Sequence, residues 1–375
     1  MKIVYFTHSL LSCWNHGNAH FLRGVLRELI ARGHDVTPCE PRGAWSLENL
    51  LADHGAEGLG SFRAAYPELG SFIYDGPDDW AEVVEAADLV IVHEWNDPAL
   101  VAALGRRRAA GARFTLLFHD THHRAVSDPE AIRAFDLSGY DGVLAFGEAL
   151  SEVYRQWGWG DRVWTWHEAA DLRLFHPPAD EADAPREGLV WIGNWGDDER
   201  SAELSRYLFD PARAAGLSLD IYGVRYPEEA LRRLAAAGAH YRGWGPNALA
   251  PSIYARHLAT VHVPRRHYAT MLPGIPTIRV FEALACGIPL VCAPWTDSER
   301  LFRPGEDYLV ARDGAQMTHH LRALRDDADL RAALVASGLE TIRARHSCAH
   351  RVDELFGILA DLSLDPSLDR NRSYA

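Results

Sequence analysis

The segment Pro273–Arg303, PGIPTIRVFEALACGIPLVCAPWTDSERLFR, concentrates residues that could do chemistry. A loop with two prolines and Gly274 runs into a helical pattern. Arg279 and Glu282 fall three apart near its start, so they share one face. Open amides at such a start, from Thr277 and Ile278 onward, can hold a phosphate. The Arg279 guanidinium can neutralise it, and the Glu282 carboxylate can accept hydrogen bonds from a ribose diol. The same residues also describe a buried helix–strand unit with a capping carboxylate. Taken alone, the segment leaves both readings open.

Other candidates sit where apolar runs end. His119-Asp120-Thr121-His122-His123 follows such a run, and His119 or Asp120 is suited to accept a proton. The rival readings are a zinc site or a satisfied structural cluster. Zinc needs three or four converging ligands, and no HExxH occurs. His93-Glu94 ends another run and is a lesser candidate of the same kind, while Trp166-His167-Glu168 suits hinge packing. Gly193 and Asn194 (in WIGNW), Gly223 and Trp244 follow short apolar or aromatic runs, and Arg265-Arg266 closes another. The polar loop Ser9–His20 carries Asn15, Gly17 and Asn18, and Gly17 lets backbone approach a ligand. Singly, such glycines are turns and such arginines are solvated. A GxxxxGK[ST] loop is absent, and the GxGxxA match at Gly243–Ala248 is accidental, since Pro246 interrupts it.

Alternating elements must position these groups. Strands are expected at Lys2–Thr7, His34–Cys39, Leu89–His93, Phe114–His119, Val143–Phe146 and Val163–Trp166. A helix over Phe21–Ile30 ends at Gly33. Three prolines and four acidic residues mark 176–187 as a linker. The pattern restarts at Leu189–Ile192 and continues through strands at Leu217–Tyr222, His240–Arg242, Thr260–Val263 and Pro289–Cys292. Helices are expected at Glu199–Ala215, Pro227–Ala237, Asn247–Arg256 and Ile278–Ala285, and Gly314–Leu362 reads as helical. The fold class is therefore α/β, two doubly wound Rossmann-like domains facing across a cleft, with sites beyond the carboxyl ends of the strands.

Composition narrows the function. The chain has 375 residues and a net charge of −14, which argues against nucleic-acid binding. Lys2 is the only lysine, so arginines or backbone amides must meet a buried phosphate. The run at Met1–Tyr5 is too short for a signal peptide, and no stretch suits stable membrane insertion. Five scattered cysteines without a CxxC fit a reduced, cytoplasmic setting.

In order and spacing, these motifs resemble the nucleotide-binding signature of glycosyltransferase family 4 and related GT-B enzymes. IRVFEALACGIPLV and ERLFRPGEDYLV resemble, more closely, the spore-maturation CgeB-like glycosyltransferases. The likeness covers most of residues 188–350 and is fainter before them. It implies a GT-B fold with an N-terminal domain at 1–175, joined by a helix within 349–375, and a nucleotide-sugar-binding domain at 188–348. It implies transfer of a sugar, with retention, from a nucleoside diphosphate sugar to an acceptor hydroxyl on a saccharide, glycan or small molecule, with no cofactor and no essential metal. Glu282 matches the second glutamate of the family pair, which contacts the donor ribose. Gly193, Asn194, Gly223, Trp244, Arg265, Arg266, Thr277, Ile278 and Arg279 fall in donor-binding segments, with Arg200 near a family basic residue. Asn15, Gly17 and Asn18 fall in the loop bordering phosphate and acceptor, and His119 and Asp120 at the reacting end. The first glutamate of the pair is Gly274 here. That departure leaves a second expectation, a catalytically silent nucleotide-sugar binding protein.

Overall fold

The computed structural model describes residues 1–179, 185–196 and 199–364. Residues 180–184 of the linker expected at 176–187, and 365–375 of the expected C-terminal segment, lie outside the described residues. The chain divides into two compact units. One comprises Met1–Cys13, Phe21–Glu168 and the helix Cys348–Leu364. The other comprises Trp14–His20 and Ala169–Ser347.

The first unit is built on seven parallel strands: β1 (Lys2–Phe6), β2 (Asp35–Pro41), β3 (Phe72–Tyr74), β4 (Leu89–His93), β5 (Thr115–Asp120), β6 (Gly142–Ala145) and β7 (Val163–Thr165). Their order is β3-β2-β1-β4-β5-β6-β7. Every residue of β4 (LVIVH) is buried, as expected of a central strand covered on both faces. The helix Ala19–Ala31 returns the chain from β1 to β2. The helix Cys348–Leu364 makes polar contacts to the rest of this unit. Trp166 Nε1 donates to the Arg351 carbonyl at 2.8 Å, and Arg32 donates to Asp353 at 2.6 Å. The stretch between β2 and β4 holds the helices Trp45–His54, Gly60–Ala65 and Pro77–Glu85 and the edge strand β3, none of them foreseen in the sequence. Three residues at a sheet edge show no usable alternation.

The second unit repeats the plan with six parallel strands: β8 (Leu189–Ile192), β9 (Leu219–Tyr222), β10 (His240–Gly243), β11 (Ala259–His262), β12 (Leu290–Cys292) and β13 (Leu309–Val310), ordered β10-β9-β8-β11-β12-β13. In both sheets the order reverses beside the first strand, which leaves a crevice at the carboxyl ends where parallel sheets bind ligands.

Several expected helices are broken. The one expected at Glu199–Ala215 starts at Ser201 and widens into a π turn over Ser205–Phe209. Pro211 explains the widening, because it lacks an N–H and crowds the carbonyl of Tyr207 four residues back. The one expected at Asn247–Arg256 is a 3₁₀ turn at Asn247–Leu249 followed by Ala250–Ala255, with Pro251 in its first turn. The expected helical stretch Gly314–Leu362 is three helices, Gly314–Asp326, Ala328–Arg345 and Cys348–Leu364. Asp313 and Asp327 cap the first two through their side chains.

Candidate functional site

In the second unit the helix Ile278–Ala285 begins at Thr277, and no side chain caps it. Threonine at this position ordinarily accepts from a first-turn amide. Here its hydroxyl lies 3.0 Å from His262 Nε2 at the end of β11, so it is turned away from the amides. Thr277 and Arg279 are half-buried, whereas Ile278 and Glu282 are buried. The fully enclosed Glu282 carboxylate is heavily engaged. Oε1 lies 3.0 Å from His20 Nδ1 and 2.8 Å from Asn247 Nδ2, and Oε2 pairs with Arg279. Burial alone would raise the Glu282 pKa. Arg279, aided by hydrogen bonds from His20 and Asn247, outweighs it and holds the group below the usual carboxylate range.

The loops after β8 and β9 close tightly on each other. A Cβ on Gly223 would overlap the Gly193 carbonyl oxygen, and one on Gly193 would come within 2.8 Å of the Trp191 ring. Both positions therefore need glycine. The Val224 amide donates to Asn194 Oδ1 at 2.9 Å, tying the two loops. Tyr226 and Tyr241 hydroxyls donate to the Gly193 and Gly223 carbonyls, each at 2.8 Å. Trp244 is half-buried after β10.

Arginines gather beside these loops. Arg200 donates to the carbonyls of Val263 at 3.0 Å and Asn194 at 2.6 Å, and its Nε has no acceptor. Its guanidinium stacks over Trp191. Burial, then the positive charges of Arg265 and Arg279, push its pKa down to about 10. Among the described residues, no carboxylate is hydrogen-bonded to it. Arg265 pairs with Glu199 at 3.3 Å and the more exposed Arg266 with Glu203 at 3.1 Å. A half-buried cation held, among the described residues, by carbonyls, with like charges nearby, suits an anion arriving from outside. In the sequence Arg200 stood out only by a loose spacing.

The segment Trp14–His20 belongs with this second unit. Asn15, at φ +50°, places its Oδ1 against Asn194 Nδ2, and a Cβ on Gly17 would meet Ile278 Cγ2 at 3.4 Å. Asn18 is half-buried in the same turn. His20 was not among the residues singled out in the sequence. It stands 262 positions from Glu282, and no periodicity links such a pair.

Gly274 lies at φ +90°, a backbone that favours glycine. A Cβ there would overlap Ser298 Oγ and come within 3.0 Å of Glu299 Cγ. Local geometry thus accounts for the glycine where the resemblance leads one to expect glutamate.

In the first unit, His119 and Asp120 end β5, and both are fully buried. His119 Nδ1 meets the Tyr5 hydroxyl at 2.5 Å, and its ring lies edge-on to Trp166. Asp120 accepts from the Tyr154 hydroxyl at 2.7 Å and the His122 amide at 3.0 Å. Burial, then the neighbouring Glu94, push the Asp120 pKa up to about 7, and burial pushes Glu94 up to about 8. Glu94 Oε2 lies 2.8 Å from His93 Nε2, and burial drives His93 down to about 3, so that imidazole is neutral. Among the described residues no group of three or more His, Cys, Asp or Glu side chains is arranged to hold a metal ion.

Residues 200–357 match a family model described as glycosyl transferase-like. No curated protein matches the chain. Several solved structures share its fold. HepE from Anabaena, in complex with UDP and glucose, superposes with a TM-score of 0.68 at 13% identity, covering 96% of this chain and 99% of that one. Sucrose-phosphate synthase from Thermosynechococcus elongatus gives 0.65 at 14% identity, covering 96% and 98%. T4 phage BGT, in complex with its UDP-glucose substrate, gives 0.60 at 13% identity, covering 96% and 99%. The fold is that of the GT-B glycosyltransferases, with two parallel sheets of seven and six strands. Among the described residues no helix is long and apolar enough to cross a membrane.

Proposed function

We propose that this chain transfers a sugar from a nucleoside diphosphate sugar to an acceptor hydroxyl, and that it is a CgeB-like member of the GT-B enzymes. The observation that carries the reading is Arg200, a half-buried guanidinium to which no carboxylate is hydrogen-bonded among the described residues, in the field of Arg265 and Arg279. A diphosphate is the anion that this charge and the uncapped start of the Ile278–Ala285 helix suit together. Glu282 lies one helical turn further on, placed to take ribose hydroxyls. Gly193 and Gly223 keep the strand-end loops free of side chains, and Trp244 offers a face to the base.

As the bond to the sugar breaks, negative charge grows on the leaving diphosphate, and the arginines and helix amides meet it there. Guanidinium charge takes the place of a divalent cation, so no metal is required. On the acceptor side we assign proton uptake to the end of β5. Asp120, titrating near pH 7, suits that exchange, with His119 beside it. Retention of anomeric configuration follows from the resemblance of the Pro273–Arg303 segment to family 4. A reducing cytoplasm suits its five free thiols.

The neighbours crystallised with UDP and UDP-glucose make UDP-glucose the first donor to test. Calorimetry against UDP, GDP, ADP and their glucose conjugates is expected to give micromolar binding for one base. Donor hydrolysis and transfer to a panel of saccharides should follow. Binding without any turnover would favour the silent binding protein, and binding of none of the six would overturn the reading.

A further inference from the structure

We infer that His20 is a positioning residue, whose ring sets the rotation of the Glu282 carboxylate and so the recognition of the donor's ribose. The inference rests on the donor site proposed above and extends it to the Trp14–His20 segment.

The argument begins with the imidazole's two nitrogens. The Asp171 amide donates to His20 Nε2 at 2.8 Å. A backbone N–H can only donate, so Nε2 carries a lone pair. The ring proton of the neutral imidazole then lies on Nδ1, which faces Glu282 Oε1 at 3.0 Å. The ring has little freedom to turn. It is fully buried and stacks on Phe175 with centroids 3.6 Å apart and planes 9° apart. One backbone amide thus fixes the tautomer, and one aromatic face fixes the plane.

Glu282 is consequently held asymmetrically. Its Oε1 receives two donors, His20 and Asn247, both on buried side chains. Its Oε2 pairs with Arg279, whose side chain is 27% exposed and sits in the helix's first turn. Oε1 is the anchored oxygen and Oε2 the exchangeable one. When a diphosphate draws Arg279 toward itself, Oε2 is freed to accept ribose hydroxyls without rotation of the carboxylate. The Asn15 contact with Asn194 holds the segment at a further point of the same unit.

Two substitutions separate the ring's two hydrogen bonds. His20→Asn places an amide nitrogen where Nδ1 lies and keeps the donor to Glu282. His20→Gln reaches the Nε2 position, so it keeps the Asp171 contact and loses the donor. The probes are UDP and UDP lacking both ribose hydroxyls, titrated calorimetrically into the full chain. Wild type and His20→Asn are expected to prefer UDP by roughly tenfold or more, the scale of a hydrogen bond to a charged group. In His20→Gln the preference should shrink to about twofold. A merely structural role would weaken both ligands equally and leave their ratio unchanged, which would overturn the inference. Should the variants fold poorly, ¹⁵N NMR of the wild-type chain reads the His20 tautomer directly. A proton on Nδ1 supports the inference, and a proton on Nε2 refutes it. Wild type that binds neither probe, nor GDP or ADP, refutes the donor site itself; binding of GDP or ADP instead moves the same comparison to that nucleotide and its analogue lacking both ribose hydroxyls. Wild type that binds UDP while His20→Gln keeps full discrimination refutes only the role of His20.

Discussion

Restoring the glutamate that the family pattern places at position 274 is expected to damage the chain. Gly274 has φ +90°, and a non-glycine residue on the left-handed side costs roughly 1–2 kcal/mol in backbone strain. The new Cβ would also overlap Ser298 Oγ and come within 3.0 Å of Glu299 Cγ. Ser298 is exposed and can turn aside, but Glu299 must shift with its loop, at about 1–3 kcal/mol for overpacking. Together Gly274→Glu should lose roughly 2–5 kcal/mol. For a unit of this size each kcal/mol lowers Tm by about 2–4 °C, so calorimetry should show a fall of roughly 4–20 °C. Gly274→Ala carries the backbone strain and the Cβ overlap, so most of the loss should appear there as well. Ser298→Gly in the Gly274→Ala background should recover part of it. A Gly274→Glu chain melting within about 1 °C of wild type would refute the reasoning, because φ and the overlap would then cost nothing.

Four further outcomes are expected. Arg200→Gln should weaken UDP binding by roughly ten- to a hundredfold, the loss of a charge-assisted contact, and leave the ligand-free melt unchanged or higher, since among the described residues no carboxylate is hydrogen-bonded to this cation; calorimetry and thermal melts check both. Glu282→Gln should abolish the preference for UDP over its ribose-deoxygenated analogue while thermal stability falls by only about 1–3 kcal/mol, as Arg279 loses its partner. In the first unit, Asp120 and Glu94 have folded pKa values raised above their unfolded ones. Folding therefore retains their protons, and the stability that these two groups contribute is full below about pH 4, declines as pH rises, and is gone above about pH 8. Relative to wild type, Asp120→Asn should therefore gain stability as pH rises from 5 to 8, a difference in Tm to which the buried neutral histidines contribute alike in both chains. EDTA treatment should leave sugar transfer intact, whereas a loss restored by Mn²⁺ would contradict arginine as the sole counter-charge.

How much the sequence revealed depends on what each element needs from its neighbours. β4 and β8 are short runs of apolar residues bounded by polar ones, and Leu89–His93 and Leu189–Ile192 were legible to the residue. The Ile278–Ala285 helix was legible because a Pro-Gly-Ile-Pro loop ends where its apolar period begins and Gly287 stops it at φ +64°. Where tertiary packing overrides local preference, the reading failed. Ser201–Ala215 has helical composition throughout, yet Pro211 forces a wider turn. β3 and β13 are three and two residues long and owe their existence to the strands beside them. Arg265, Arg266, Arg279 and Glu282 could be named from strand ends and a three-residue spacing. The importance of Arg200 and His20 could not, because it comes from what surrounds them after folding.

The pairing of these charges suits the proposed anion site, which must fold without its anion. Four guanidiniums brought together would repel one another, and burying them unpaired would cost several kcal/mol each. The chain places a carboxylate beside each one that can reach solvent: Glu282 on Arg279, Glu199 on Arg265 and Glu203 on Arg266. Only Arg200, enclosed by Trp191 and two carbonyls, is left without such a partner among the described residues. A diphosphate entering this site exchanges partners for Arg279 and Arg265, so those contacts add little net Coulomb energy. Its full gain is at Arg200, where among the described residues no bonded carboxylate has to be displaced. Removing Arg200 should therefore cost more affinity than removing Arg265, although Arg265 is the residue that the strand-end pattern makes easier to see.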